Sequence, residues 1–155
     1  ISGYNKLEND MVTQLTFYTK VITALAENKD VKISQRLSLP TNKLRGFERG
    51  KVGPVDNGDY VGGNYMSAIN FSTTLPMILP SLENTDVSYF IDVGNVWGVD
   101  YADTVDESNK IRSSSGVVVN WFTPIGPLNF SYALPITKVS SDRTEAFQFN
   151  LGTNF

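Results

Sequence analysis

EAFQFNLGTNF, residues 145–155, decides how this chain folds. Phe147, Phe149, Leu151, Thr153 and Phe155 fall on one parity, and Gln148, Asn150, Gly152 and Asn154 on the other. Side chains of an extended strand point alternately to opposite faces, so a period of two predicts a strand with one apolar and one small-polar face.

Working back from that strand, the same alternation recurs. GPLNFSYALPI (126–136) sets Leu128, Phe130, Tyr132, Leu134 and Ile136 against Asn129, Ser131, Ala133 and Pro135. SSGVVVNWF (114–122) sets Val117, Val119 and Trp121 against Gly116, Val118 and Asn120. VSYFIDVGNVW (87–97) sets Val87, Tyr89, Ile91 and Val93 against Ser88, Phe90, Asp92 and Gly94. YMSAINFSTTL (65–75) sets Ile69, Phe71, Thr73 and Leu75 against Ala68, Asn70, Ser72 and Thr74. MVTQLTFYTKVIT (11–23) carries Met11, Leu15, Phe17 and Val21 among threonines, and a shorter segment, ISGYNKLE, precedes it. About seven strands of roughly 9–11 residues result, the span of a tilted membrane strand. ENTD (83–86) and SSDR (140–143) read as hairpin connections and TPIGP (123–127) as a tight turn. Two long polar connections, 26–65 and 98–111, alternate with these short ones, as in outer-membrane barrels.

The polar faces are mostly Asn, Ser, Thr, Gln, Gly and Ala, whereas the apolar faces are rich in Phe, Tyr and Trp. A soluble sandwich exposes charges on its solvent face. Small neutral polar residues suit a wet lumen, and aromatics suit lipid and its interfaces. The pattern therefore predicts an antiparallel, up-and-down transmembrane β-barrel, with a soluble β-sandwich as the competing reading. Trp97, Trp121, Tyr89 and Phe155 are interfacial anchors on the first reading and packing aromatics on the second.

Composition narrows the chemistry. The 155 residues amount to one domain or a piece of a larger one, with a net charge of −3. The chain begins at Ile1, consistent with a mature product or an excised fragment. A nucleic-acid partner usually demands a basic stripe, and none is present. The absence of cysteine and histidine excludes thiolate or imidazole chemistry within this chain. Ser113, Ser114 and Ser115 have only Lys110 nearby as a base. The acidic run 100–107 lacks EF-hand spacing and reads as a solvated loop rather than a Ca²⁺ site. No catalytic residue, metal or cofactor is expected, and the chain is not expected to be an enzyme. No apolar run approaches the ~20 residues of a membrane helix, which leaves a β-barrel untouched.

One loop breaks the alternation: LRGFERGKVGP, residues 44–54, with four charges and three glycines. Read alone, it is a solvated turn. In order with VGGN (61–64), FIDVGNVW (90–97), WFTPIGPLNFSYALPITK (121–138) and FQFNLGTNF (147–155), it resembles the BamA family of outer-membrane β-barrel assembly insertases. The resemblance covers nearly the whole chain, most specifically residues 44–155.

That resemblance implies the C-terminal portion of a barrel, about seven of the family's sixteen strands, without the periplasmic POTRA domains. It implies location in the bacterial outer membrane. It implies that the loop within 26–65 folds into the lumen through Leu44, Arg45, Gly46 and Phe47, with Asp92 as the partner of Arg45 on the barrel wall. The family's second acid would fall at Ser72, which is neutral here. Gly46 is expected to permit close approach to the wall, Phe47 to pack in the lumen, and Glu48 and Arg49 to be local charges. Phe147, Phe149, Leu151, Gly152 and Phe155 are expected to form the lateral seam and C-terminal signal strand; an ordinary closing strand is the plainer reading. The implied function is insertion of other barrels by strand templating at that seam, with outer-membrane lipid and nascent barrel proteins as partners. Accessory lipoproteins would dock through the POTRA domains. The related alternative is a transporter of the same superfamily exporting a polypeptide.

Overall fold

The computed structural model describes residues 1–7, 10–25, 29–76, 78, 84–101, 105 and 109–152. It is a seven-stranded antiparallel sheet plus one small hairpin. The strands are β1 Ser2–Lys6, β2 Val12–Val21, β5 Tyr65–Thr74, β6 Thr85–Trp97, β7 Arg112–Thr123, β8 Gly126–Thr137 and β9 Phe147–Leu151, neighbours in chain order. The hairpin pairs β3 Val55–Asp56 with β4 Asp59–Tyr60 inside the long connection. The sheet is open, with β1 and β9 at its edges.

Every predicted strand is present and the predicted parities hold over the described residues; β1 and β9 are assigned five residues each, and Thr153, Asn154 and Phe155 lie outside the described residues. What inverts, relative to a soluble protein, is which face is covered. Phe17, Phe71, Trp121, Tyr132, Leu134, Phe147 and Phe149 are exposed, whereas Asn70, Ser88, Asp92, Ser114, Ser131 and Gln148 are buried. An aromatic outer band over a small-polar inner face is the arrangement of a transmembrane barrel wall.

The inner face is covered by the connection between β2 and β5. Leu37, Leu39, Leu44, Phe47 and Val52 from that connection pack with Met66, Ala68 and Val96 of the wall. Full burial of such side chains is worth about 1.5–3 kcal/mol each, so the connection is a docked element. The hairpin within it follows from VDNGDY: Asn57 (φ 50°) and Gly58 (φ 90°) both sit at positive φ, as a two-residue type I′ turn requires. The turn lies inside the long polar connection 26–65, where strand alternation gives no sign of it.

Turn chemistry is mixed. Thr123 pairs with Gly126 around Pro124 and Ile125, the tight turn expected from TPIGP. Of ENTD, Glu83 lies outside the described residues; Asn84 takes a positive φ of 61° and Thr85 opens β6. SSDR turns, with the Asp142 amide donating to the Val139 carbonyl, but it is part of a longer connection from β8 to β9 whose acid has a second role.

Candidate functional site: a basic loop clamped to the inner wall

The site is assembled by three strands and one loop. β6 points Asp92 inward, and its cross-strand neighbour on β5 is Asn70. On its other side lies Ser114 of β7. Residues 44–47 of the loop descend onto these three side chains.

Arg45 meets Asp92 in a bidentate pair. Its Nε donates to Oδ2 at 2.7 Å and its Nη2 to Oδ1 at 2.8 Å, and the Arg45 backbone N–H donates to Oδ2 at 3.0 Å. Asn70 Nδ2 adds a fourth donor to Oδ1 at 2.8 Å and also donates to the Lys43 carbonyl at 2.9 Å. The Ser114 hydroxyl donates to the Arg45 carbonyl at 2.5 Å. The guanidinium lies over the Phe90 ring, 3.4 Å from its centroid. Asp92 has no solvent exposure, and the Arg45 side chain retains 16 %. A fully desolvated carboxylate is tolerable only when its lone pairs are filled, and here four donors converge on two oxygens.

Gly46 lies where a side chain would be strained and crowded. Its φ is +86°, and a Cβ added there would stand 3.0 Å from Ala133 Cβ of β8. Left-handed backbone with close approach is glycine's role. Phe47 is buried and pairs with Thr144 as an isolated antiparallel bridge; its carbonyl accepts from Gln148 Nε2 of β9 at 2.8 Å. Leu44 is buried in the same apolar cluster.

The residue that completes the Asp92 site from β5 is Asn70 rather than Ser72. Ser72 pairs opposite Phe90, one inward position further along, and lines an open polar cleft of about 480 Å³ with Gln14, Asn120 and Asn129. Neither Glu48 nor Arg49 forms an ion pair among the described residues; the Glu48 amide donates to the Arg143 carbonyl. The Ser114 hydroxyl is committed to the Arg45 carbonyl, and the Ser113 hydroxyl shares a hydrogen bond with Thr137.

On the edge strand β9, Phe147, Phe149 and Leu151 point outward, and Phe149 packs on Phe130, centroids 5.1 Å apart. Gly152 ends β9 at φ +108°, its amide donating to the Pro127 carbonyl at 2.9 Å. Phe155 lies outside the described residues. Among the proposed anchors, Tyr89 and Trp121 are exposed on the outer face, and Trp97 stacks on Tyr65 at 5.9 Å.

Two further anchors of the inner elements escaped the sequence reading. Arg36 holds Asp100 at 2.5 Å and the Val31 carbonyl at 3.0 Å, and lies 4.7 Å from the Tyr101 ring centroid. Burial pushes the Asp100 carboxyl up, but the Val31 amide, the Asn64 side chain and Arg36 outweigh it and leave the group below its ordinary value. Of the acidic run 100–107, Asp100 is committed to an arginine, and Asp103, Asp106 and Glu107 lie outside the described residues. The other anchor is Arg112 with Asp142, both fully buried side chains. Extending the β7 parity two residues back from Ser114 would have placed an arginine on the inner face.

An open up-and-down sheet with an aromatic outer band and an arginine loop clamped to its inner wall defines part of an outer-membrane β-barrel. The Omp85 superfamily domain model matches residues 1–155. The outer membrane protein assembly factor BamA of Neisseria meningitidis is 32% identical over 72% of this chain and 17% of its own length. BamA of Neorickettsia risticii is 30% identical over 81% of this chain and 17% of its own length. A crystal structure of BamA from Haemophilus ducreyi lacking POTRA domains 1–3 superposes with a TM-score of 0.82 at 31% identity, covering 96% of this chain and 32% of that one. The chain belongs to the Omp85 superfamily, as the C-terminal part of a BamA-family outer-membrane barrel. It spans about a sixth of the length of these curated relatives.

Proposed function

We propose that this chain is the seam-bearing part of a factor that folds and inserts β-barrel proteins into the bacterial outer membrane. The carrying observation is the clamp of Arg45 on Asp92, set in a wall whose relatives bear the name of an assembly factor. The work is non-covalent. The outward N–H and C=O groups of β9 offer an edge on which a client strand adds by β-augmentation. Local thinning of the bilayer beside this edge would lower the barrier to insertion. The clamped loop fixes the inner side of the wall while the edge exchanges partners.

The partners on this reading are outer-membrane lipid and nascent barrel proteins, with accessory lipoproteins recruited by POTRA domains elsewhere in the protein. Export of a polypeptide through the pore, the related alternative, finds no support in the names of these relatives. The test uses the full-length protein in liposomes, with client folding followed by heat-modifiable gel mobility. Arg45→Ala and Asp92→Ala are expected to slow client folding, and a cysteine placed at Asn150 is expected to cross-link to a client edge strand. Unchanged folding with both variants would sink the loop's role, and absence of the cross-link would sink templating.

A further inference from the structure

The connection between β8 and β9, residues 138–146, lies across the loop that carries Arg45. The two segments exchange backbone hydrogen bonds like a short ladder. The Glu145 amide donates to the Gly46 carbonyl at 3.0 Å, the Glu48 amide to the Arg143 carbonyl at 3.0 Å, and the Arg143 amide to the Lys51 carbonyl at 3.2 Å. Gln148 on β9 reaches the Phe47 carbonyl, and the Tyr60 hydroxyl of the small hairpin donates to the Ser141 carbonyl. The connection thus touches the loop along its length and leads directly into the edge strand.

One buried ion pair fixes where this strap begins. Arg112, at the start of β7, donates from Nε to Asp142 Oδ2 at 3.0 Å and from Nη2 to Oδ1 at 3.1 Å. Asp142 Oδ2 also accepts the Val139 amide at 2.7 Å, which closes the turn. Arg112 Nη1 donates to Asn95 Oδ1 on β6 at 2.6 Å and to the Lys110 carbonyl at 2.9 Å. Both charged side chains have no exposure. A pair of that kind holds one geometry, because removing either partner strands a charge away from water.

We infer that Arg112 and Asp142 are positioning residues that couple the seating of the Arg45 loop to the docking of β9. The contacts that hold them go to one another, Asn95, Lys110 and Val139, away from the loop's Arg-Gly-Phe core. They place the strap whose backbone bonds both hold the loop and set the register in which β9 leaves. Undocking the loop then loosens the edge strand, and loosening the edge strand releases the loop, because coupling between two sites is reciprocal. The inference rests on the seam reading of β9 only for its biological purpose; the coupling itself is a property of this chain.

The test is amide hydrogen exchange on the full-length protein in lipid, comparing wild type with Arg112→Gln, Asp142→Asn and Arg45→Ala. Arg112→Gln and Asp142→Asn are expected to speed exchange by about tenfold or more in residues 44–51 and 147–151, within the range of ordinary intersite coupling. Arg45→Ala is expected to do the same at 143–151, through the bonds that Gly46, Phe47 and Glu48 make to that segment. Protection in β5 and β6 reports that each variant is folded, and Asp142→Asn, nearly isosteric, serves where Arg112→Gln does not fold. Faster exchange confined to 138–142, with 44–51 and 147–151 at wild-type rates, would overturn the inference. Exchange reads the coupling whether or not clients are assembled, so failure of the assembly reading would appear as unchanged client folding in variants that do lose protection.

Discussion

Replacing Arg45 with alanine removes two charge-assisted hydrogen bonds from a carboxylate that has no exposure. Each such bond contributes about 1.5–3 kcal/mol, and breaking a buried pair typically costs about 3–5 kcal/mol. The Arg45 backbone N–H and Asn70 still serve Asp92 in the variant, and the clamp opens on a polar cleft. Those features place the loss at the lower end, about 3 kcal/mol, or roughly a hundredfold in the docked-to-undocked ratio of the loop. Asp92→Asn should be nearly as damaging although it keeps the shape. All four contacts at Asp92 are donors, and an asparagine brings an NH₂ among them. The assay is limited trypsin digestion of the full-length protein in lipid, following cleavage after Arg49 and Lys51. Where opening and closing outrun cleavage, the rate follows the open population, so about a hundredfold acceleration is expected. The double variant should be little worse than either single one. A cleavage rate within about threefold of wild type would refute the claim that this pair holds the loop.

Gly46→Ala should destabilise the docked loop more than Gly50→Ala. Both positions have positive φ, costing about 1–2 kcal/mol for a Cβ, but only Gly46 also meets Ala133; paired trypsin rates test the order. Tyr132→Arg, on the outer face, should cost about 2–4 kcal/mol near the bilayer midplane, measured by denaturant unfolding in lipid vesicles; the same substitution at the cleft-lining Asn129 should cost less. The Arg36–Asp100 anchor should fail only in acid. The Asp100 carboxyl is depressed in the folded state, so its stabilisation is full above the ordinary carboxylate value of about 3.9 and is lost as pH falls through the lower folded value. The protection factor of the Val31 amide, which donates to Asp100, should hold at neutral pH and fall below that range, and Asp100→Asn should remove that fall.

Alternation by itself determined six of the seven strands and which side chains share a face, and turn residues gave their connections. A strand's side-chain period is two whatever surrounds it, so parity survives any tertiary context. Parity also put Asp92 on the inner face. Arg45 as its partner came from the resemblance carried by the Arg-Gly-Phe loop. What only the tertiary structure decided was everything that depends on where a loop lands. Asn70 rather than Ser72 completes the Asp92 site because register selects the residue directly opposite. Arg36 with Asp100 and Arg112 with Asp142 are separated by 64 and 30 positions. No local pattern pairs residues so far apart, and only the folded backbone brings them within hydrogen-bond reach. The hairpin at Asn57 and Gly58 is the middle case: its turn signal was written locally, yet its place on the wall came from the apolar cluster under it. Strand faces are a local property of covalent geometry, whereas loop anchoring is a property of long-range burial, where desolvated charges must find partners.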